Sequence, residues 1–135
     1  MFVSETKVRV RYGETDKMGY MYHGNYAQFY EIGRVDALRQ VGLSYKGIED
    51  EGVMMPVLEI HSKFIKPALY DDEIRIRTIM HELPSVRISF DFEMFNEAND
   101  LIHTATVKLV FVRSTDMRPI RCPESLMDVF KPYFD

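Results

Sequence analysis

One cysteine, Cys122, in 135 residues leaves no partner for an intramolecular disulfide and nothing from which to build a Cys-rich zinc site or a CxxC redox pair. Glycine and proline are also scarce, at seven and six, which excludes collagenous and Pro/Gly-rich disordered chains. The 46% hydrophobic and 28% charged residues are the proportions of a globular protein. Charges interrupt every apolar segment well short of the roughly 18 residues that cross a bilayer. The first ten residues alternate charged and apolar types, unlike the basic stretch and continuous apolar core of a signal peptide. A soluble protein in the cytoplasm, without membrane insertion, is therefore expected. Positive charge is in deficit: 17 basic against 21 acidic residues, net −4, give no general attraction for nucleic acid. His61, His81 and His103 fall on different predicted strands without ligand spacing, and no HExxH, P-loop or GxGxxG pattern occurs, so neither metal nor cofactor is expected.

What is present is the pattern of a single domain, residues 1–135. Residues 6–12 set Val8, Val10 and Tyr12 on one face against Lys7, Arg9 and Arg11, the period of a half-buried strand. From Asn25 the period changes. Tyr26, Phe29, Tyr30, Gly33, Ala37 and Val41 share one arc at about 100° per residue, which predicts a helix of four to five turns. Asn25 is placed to cap its start and Gly42 to take the left-handed position after its end. A polar connection over 45–52 leads to four alternating stretches, 56–66, 73–82, 86–96 and 101–113. Short turns at Leu83-Pro84-Ser85 and at Glu97 to Asp100 favour antiparallel hairpins. The last stretch is long enough to bend, and a short helix is predicted from Pro123 to Phe130, with Pro123 in its first turn. Strand, long helix, then four strands is an α+β order in which one helix covers the apolar face of a five-stranded antiparallel sheet. Its open edges predict a homo-oligomer, dimer or tetramer.

The chemistry concentrates between the first strand and the helix. Residues 12–26 supply two carboxylates, Glu14 and Asp16, an imidazole, His23, and three glycines just before a helix N-terminus. Free N–H groups there hold a developing oxyanion, and a nearby carboxylate attacks an acyl carbon or activates water. Acyl transfer is what that pairing suits. On spacing alone the reading stays open, since Asp, Asn and Gly are common in any loop and a histidine beside a helix start is more often structural than catalytic.

The same residues carry a resemblance. Tyr12, Glu14, Thr15, Asp16, Gly19, the Asn25-Tyr26 pair and Glu31, with the later run Phe64-Ile65-Lys66-Pro67-Ala68-Leu69-Tyr70-Asp71-Asp72, resemble the hotdog-fold thioesterases. The branch is that of 4-hydroxybenzoyl-CoA thioesterase and the Tol-Pal-associated acyl-CoA thioesterases, and the likeness covers nearly the whole chain. It implies a hotdog fold, a five-stranded antiparallel sheet wrapped around one long central helix, and hydrolysis of an acyl-CoA to a carboxylic acid and free CoA. It assigns Asp16 as nucleophile or general base, the backbone N–H groups of His23 and Gly24 as the oxyanion site, and the His23 imidazole as a further catalytic group. Gly19, Asn25, Tyr26 and Glu31 support the loop and helix. The acyl group is expected in a slot between subunits, with CoA across the boundary. Lys63, Lys66 and Arg87 are the basic residues offered for its phosphates, since the hairpin Leu83-Pro84-Ser85 has none.

Two other functions use the same residues. A hotdog-fold enoyl-thioester hydratase or dehydratase needs an acid and a base astride the α,β carbons, and Asp16 with His23 could supply them. A non-catalytic acyl-CoA-binding sensor would keep the pocket without turnover. Met18, Met21, Met54 and Met55 are expected either in the core or along an adaptable apolar acyl slot.

Overall fold

The structure, a computed structural model, describes residues 1–134. Strand β1 (Phe2–Arg9) leads through a long loop to helix α1 (Tyr26–Gln40) and a short helix α2 (Tyr45–Asp50). Strands β2 (Val53–Met54), β3 (Val57–Phe64), β4 (Glu73–Met80), β5 (Arg87–Phe95), β6 (Leu101–Val110) and β7 (Val112–Arg113) follow, then helix α3 (Glu124–Phe130). Five strands form one sheet in the order β1-β4-β5-β6-β3, every pair antiparallel, and β2 with β7 forms a small separate ribbon.

Alternation along the strands gives the sheet one apolar face. Ile74, Ile76, Thr78 and Met80 of β4 and Ile88, Phe90, Phe92 and Met94 of β5 are all buried, and α1 lies across β1, β4 and β5 on that side. The helix contributes Tyr26, Phe29, Tyr30, Gly33, Ala37 and Leu38 to the buried interface. Each fully buried large apolar side chain there stabilises the fold by about 1.5–3 kcal/mol. Gly42 takes φ +85° just past the helix end, a conformation in which a Cβ would be strained.

Several expected boundaries move. The first strand runs over Phe2–Arg9, not 6–12, because its register with β4 begins at the Phe2–Met80 pair and the chain turns away after Arg9. Tyr12 consequently sits exposed in a 3₁₀ turn, not on the buried face with Val8 and Val10. The polar connection after α1 folds as α2, capped by the Ser44 hydroxyl, which accepts from the Gly47 N–H at 2.9 Å. Pro123 precedes the first turn of α3 as its cap residue. The long last stretch breaks at Phe111, after which Val112–Arg113 leaves the main sheet to pair with β2.

The helix covers only part of the sheet. On β3, at the far edge, every residue is exposed, and Ile60, Ser62 and Phe64 stand opposite Val107, Ala105 and His103 of β6 on the helix-bearing face.

Gly33 sets how closely helix and sheet approach. A Cβ at that position would lie 2.7 Å from Thr78 Oγ1 and 3.1 Å from both Ile76 Cγ2 and Phe92 Cε1. Alanine would gain about 1 kcal/mol in helix propensity, but pushing α1 off three packed side chains costs about 1–3 kcal/mol. Gly33→Ala is expected to lower the melting temperature, by up to about 8 °C. A thermal melt at or above that of the parent protein would contradict this account of the interface.

Candidate active site

The loop between β1 and α1 is held by its own backbone. Val10 N–H donates to Asp72 O and Asp71 N–H to Val10 O, each at 2.9 Å, pinning the loop's start to the turn before β4. Glu14 is buried at 6% exposure. Its carboxylate accepts from the Arg11 N–H at 2.7 Å and from Arg11 Nη2 at 3.1 Å, so the charge is paired where it leaves water. The Glu14 carbonyl then accepts twice, from Tyr22 N–H and from Asn25 Nδ2, both at 2.8 Å.

Between those ties the chain makes a tight excursion. Thr15 bridges Met21, Asp16 N–H donates to Tyr20 O at 2.8 Å, and Gly19 N–H donates to Asp16 O at 3.0 Å. Gly19 adopts φ +80°, which explains glycine at that turn. Met21 N–H reaches Ala68 O at 2.7 Å, strapping the excursion to the segment after β3. Asp16 Oδ1 accepts from Met18 N–H at 2.9 Å. Its second carboxylate oxygen has no hydrogen-bond partner among the described residues.

Helix α1 does not begin with a side-chain cap at Asn25. A 3₁₀ turn, His23–Asn25, leads directly into it, and the Asn25 side chain is spent on Glu14 O. Asn25 N–H and Tyr26 N–H are used within that turn, donating to Tyr22 O and His23 O. The N–H groups of His23 and Gly24 have no acceptor among the described residues, so the positive end of the helical segment lies at these two amides.

Loop, helix start and edge strand meet around a cleft of about 250 Å³. It is lined by Asp16, Met18, Tyr20 and Met21, by His23 and Tyr26, and by residues 64–67. A carboxylate, an imidazole and a helix N-terminus thus share one largely apolar cleft, the constellation that acyl-transfer chemistry uses. A family model described as the thioesterase-like superfamily matches residues 10–130. The chain belongs to that superfamily.

Two relatives and a solved structure give the same picture. The acyl-CoA thioester hydrolase YbgC of Escherichia coli O6:H1 is 32% identical, over 92% of this chain and 92% of its own. A Bacillus subtilis protein whose name proposes an acyl-CoA thioesterase, YneP, is 30% identical over 98% of this chain and 96% of its own. The crystal structure of a DHNA-CoA thioesterase from Staphylococcus aureus has TM-score 0.91 at 32% identity, covering 98% of this chain and 89% of that one. The sheet wrapped on α1 is the hotdog fold of this thioesterase superfamily.

Against that frame, Asp16, His23 and Tyr26 are brought together, with Gly19 and Asn25 shaping the loop. Glu31 is not in a supporting position. It is exposed on α1 and has no hydrogen-bond or ion-pair partner among the described residues, because position 31 falls on the side of the helix away from the sheet. Of the three basic residues, only Lys66 lines the cleft, where its Nζ lies 3.3 Å from Asp100 Oδ2. Lys63 and Arg87 stand on the outer side of the subunit in separate grooves, so one subunit does not gather the three. Met18 and Met21 line the cleft; Met54 and Met55 belong to the β2 region and do not. Among the described residues no group of three or more His, Cys, Asp or Glu is arranged to hold a metal.

Sequence reasoning missed what stands behind the cleft. His103 is fully buried, stacked on Tyr26 at 4.3 Å between centroids and edge-on to Phe64 at 4.7 Å. Its Nε2 bonds the Tyr30 hydroxyl, which bonds Ser62 Oγ at 2.7 Å. Alternation on β6 and aromatic spacing on α1 place His103 and Tyr30 inward, but nothing local pairs them. Burial lowers the His103 pKa from 6.5 to about 4, since the charged imidazolium loses its hydration. Between those values the unfolded chain binds a proton that the folded chain does not. The contribution to stability is complete above pH 6.5 and is lost as pH falls toward 4, by up to about 3 kcal/mol. His103→Phe should therefore show a smaller drop in melting temperature than the parent across that window; parallel pH profiles would contradict the assignment.

Proposed function

We propose that this protein is an acyl-CoA thioesterase, hydrolysing an acyl-CoA to a carboxylic acid and free CoA, with Asp16 supplying the attack. The observation that carries the proposal is the shared cleft: the Asp16 carboxylate opens into the same space as the helix start, and among the described residues one of its oxygens and the His23 and Gly24 amides have no hydrogen-bond partner. A thioester carbonyl whose oxygen accepts from those amides gains stabilisation as charge builds on it. Two routes are compatible with this arrangement. Direct attack by the carboxylate expels CoA as thiolate and leaves a mixed anhydride, which water cleaves. Alternatively, Asp16 takes a proton from water, which attacks and expels the thiolate. Neither route needs a cofactor. The His23 imidazole, on the cleft wall, is placed to orient water or substrate.

The acyl slot we take to be completed by a second copy of the chain, in a homo-oligomer built as dimer or tetramer. Edge strand β3 leaves its outer backbone groups unpaired and exposes Val57, Leu58, Ile60 and Phe64, a surface that soluble proteins cover. Lys66, on the cleft, is the first choice for a CoA phosphate. Among the described residues no helix is long and apolar enough to cross a membrane, and a buried lone Cys122 suits the reducing cytoplasm, where we place the enzyme. A role in binding nucleic acid has no support in the charge balance.

Asp16→Asn keeps the side-chain shape and the Met18 N–H acceptor while removing the charge. It is expected to reduce kcat by about 10²–10⁴-fold with an unchanged melting temperature and retained acyl-CoA binding. The measurement is thiol release from acyl-CoAs of short, long and aromatic acyl type. Full turnover by this variant would remove Asp16 from the mechanism. If the parent instead consumed the double bond of an enoyl-CoA without releasing thiol, it would be a hydratase.

A further inference from the structure

The His23 imidazole stands on the wall of the Asp16 cleft, yet its ring nitrogens make no hydrogen bond or ion pair among the described residues. Residue 23 is exposed, so burial does not fix the ring either. A free histidine side chain divides itself among roughly three staggered wells about χ1 and roughly two broad ones about χ2, and only some of those orientations face the cleft. One neighbour selects among them. The Tyr22 ring lies 4.4 Å from the imidazole between centroids, tilted by 46°, close to the spacing at which aromatic pairs attract.

Tyr22 is held for that contact from both sides. Its N–H donates to Glu14 O at 2.8 Å and its carbonyl accepts from Asn25 N–H at 2.9 Å, so the backbone that carries the ring is pinned at the entrance to the 3₁₀ turn. Gly24 supplies the seat. A Cβ there would lie 2.6 Å from Tyr22 Cε2 and 3.1 Å from Cδ2, closer than packed carbons approach; with hydrogen alone, the ring folds back over residue 24 and meets His23. Tyr22 is itself 46% exposed and is not among the residues that line the cleft. Its ring therefore adds little to the core, and its reach into the site is the contact with the imidazole.

Resting on the thioesterase reading, we infer that Tyr22 is a positioning residue, whose ring, seated on Gly24, holds the His23 imidazole in the orientation that faces the cleft. The phenol oxygen takes no part, and Tyr22 acts on the reaction through His23 alone. The contact raises the share of the working orientation by roughly two- to tenfold, the worth of one aromatic pair.

The test is a double-mutant cycle in the full-length protein, read as kcat/KM for thiol release from whichever of acetyl-, palmitoyl- and benzoyl-CoA the parent hydrolyses fastest. Tyr22→Ala should lower it by about two- to tenfold, and Tyr22→Phe, which keeps the ring, should retain the parent value. His23→Ala should lower it at least as far as Tyr22→Ala does. Adding Tyr22→Ala to His23→Ala should then cost nothing more, because the group being positioned is gone. Gly24→Ala, which keeps the amide but takes the ring's seat, should match Tyr22→Ala in the parent and have no effect on top of it. An equal loss from Tyr22→Ala with or without His23, the result of a merely structural ring, overturns the inference. So does parent activity in Tyr22→Ala, His23→Ala or Gly24→Ala, or a Tyr22→Phe enzyme as slow as Tyr22→Ala. Each of those results leaves the thioesterase reading standing, since the parent still releases thiol. A parent that releases thiol from none of the three acyl-CoAs overturns both.

Discussion

The close approach of α1 to the sheet at Gly33 is the constraint on which the site depends. With only hydrogen at that Cα, the helix settles onto Thr78, Ile76 and Phe92, and its depth fixes where its first turn emerges. A helix raised by one methyl would lift Tyr26 and Tyr30 from the buried surface that they share with His103. It would also lift the His23 and Gly24 amides that precede them. Packing in the middle of the helix thus controls electrostatics at its end, because a rigid helix transmits a displacement along its length.

The second constraint is the Glu14 carbonyl, which joins both ends of the loop between β1 and α1 through Tyr22 N–H and Asn25 Nδ2. Burying the Glu14 side chain with Arg11 wrapped on it fixes this carbonyl in place. Asp16 lies at the far end of the hairpin so formed, with its backbone committed to Tyr20 and Gly19 and its carboxylate only half committed. Rigid support around one under-used acidic group is the physical form of a preorganised site: the ordering entropy is met by folding, before substrate arrives.

How much of this the sequence discloses depends on the range of the interaction responsible. Elements governed by local period, such as α1 with its Tyr26–Ala37 stripe and β5 with Ile88, Phe90, Phe92 and Met94, are legible directly, as is Gly42 at the helix end. The start of β1 is not, because its limits come from pairing with β4 more than seventy residues away. Helix α2 escapes notice since six residues of mixed polarity carry no sustained period. At the site, the motif delivers Asp16, His23 and Gly24 together. The helical period puts Asn25 at the N-cap position, where it stands, but its side chain does not cap, because its actual partner, Glu14 O, is a tertiary matter. Glu31 fails for a related reason: its place one turn along the helix is read from sequence, but which side of the helix meets the sheet follows from the packing of the whole helix.

The long-range pairings missed in this way share a location. Tyr30, His103 and Ser62 come from α1, β6 and β3, and they meet where the helix stops covering the sheet. A core that ended there in apolar groups alone would leave β3 free to slip or shift, since its exposed side chains impose no register by burial. A hydrogen-bonded chain reaching from buried His103 to Ser62 ties the edge strand to the core at one defined point, and Phe64, packed edge-on against the same imidazole, is held two residues away. The wall of the cleft therefore takes its position from a polar network behind it, so that the least covered strand of the fold can still form one side of the site.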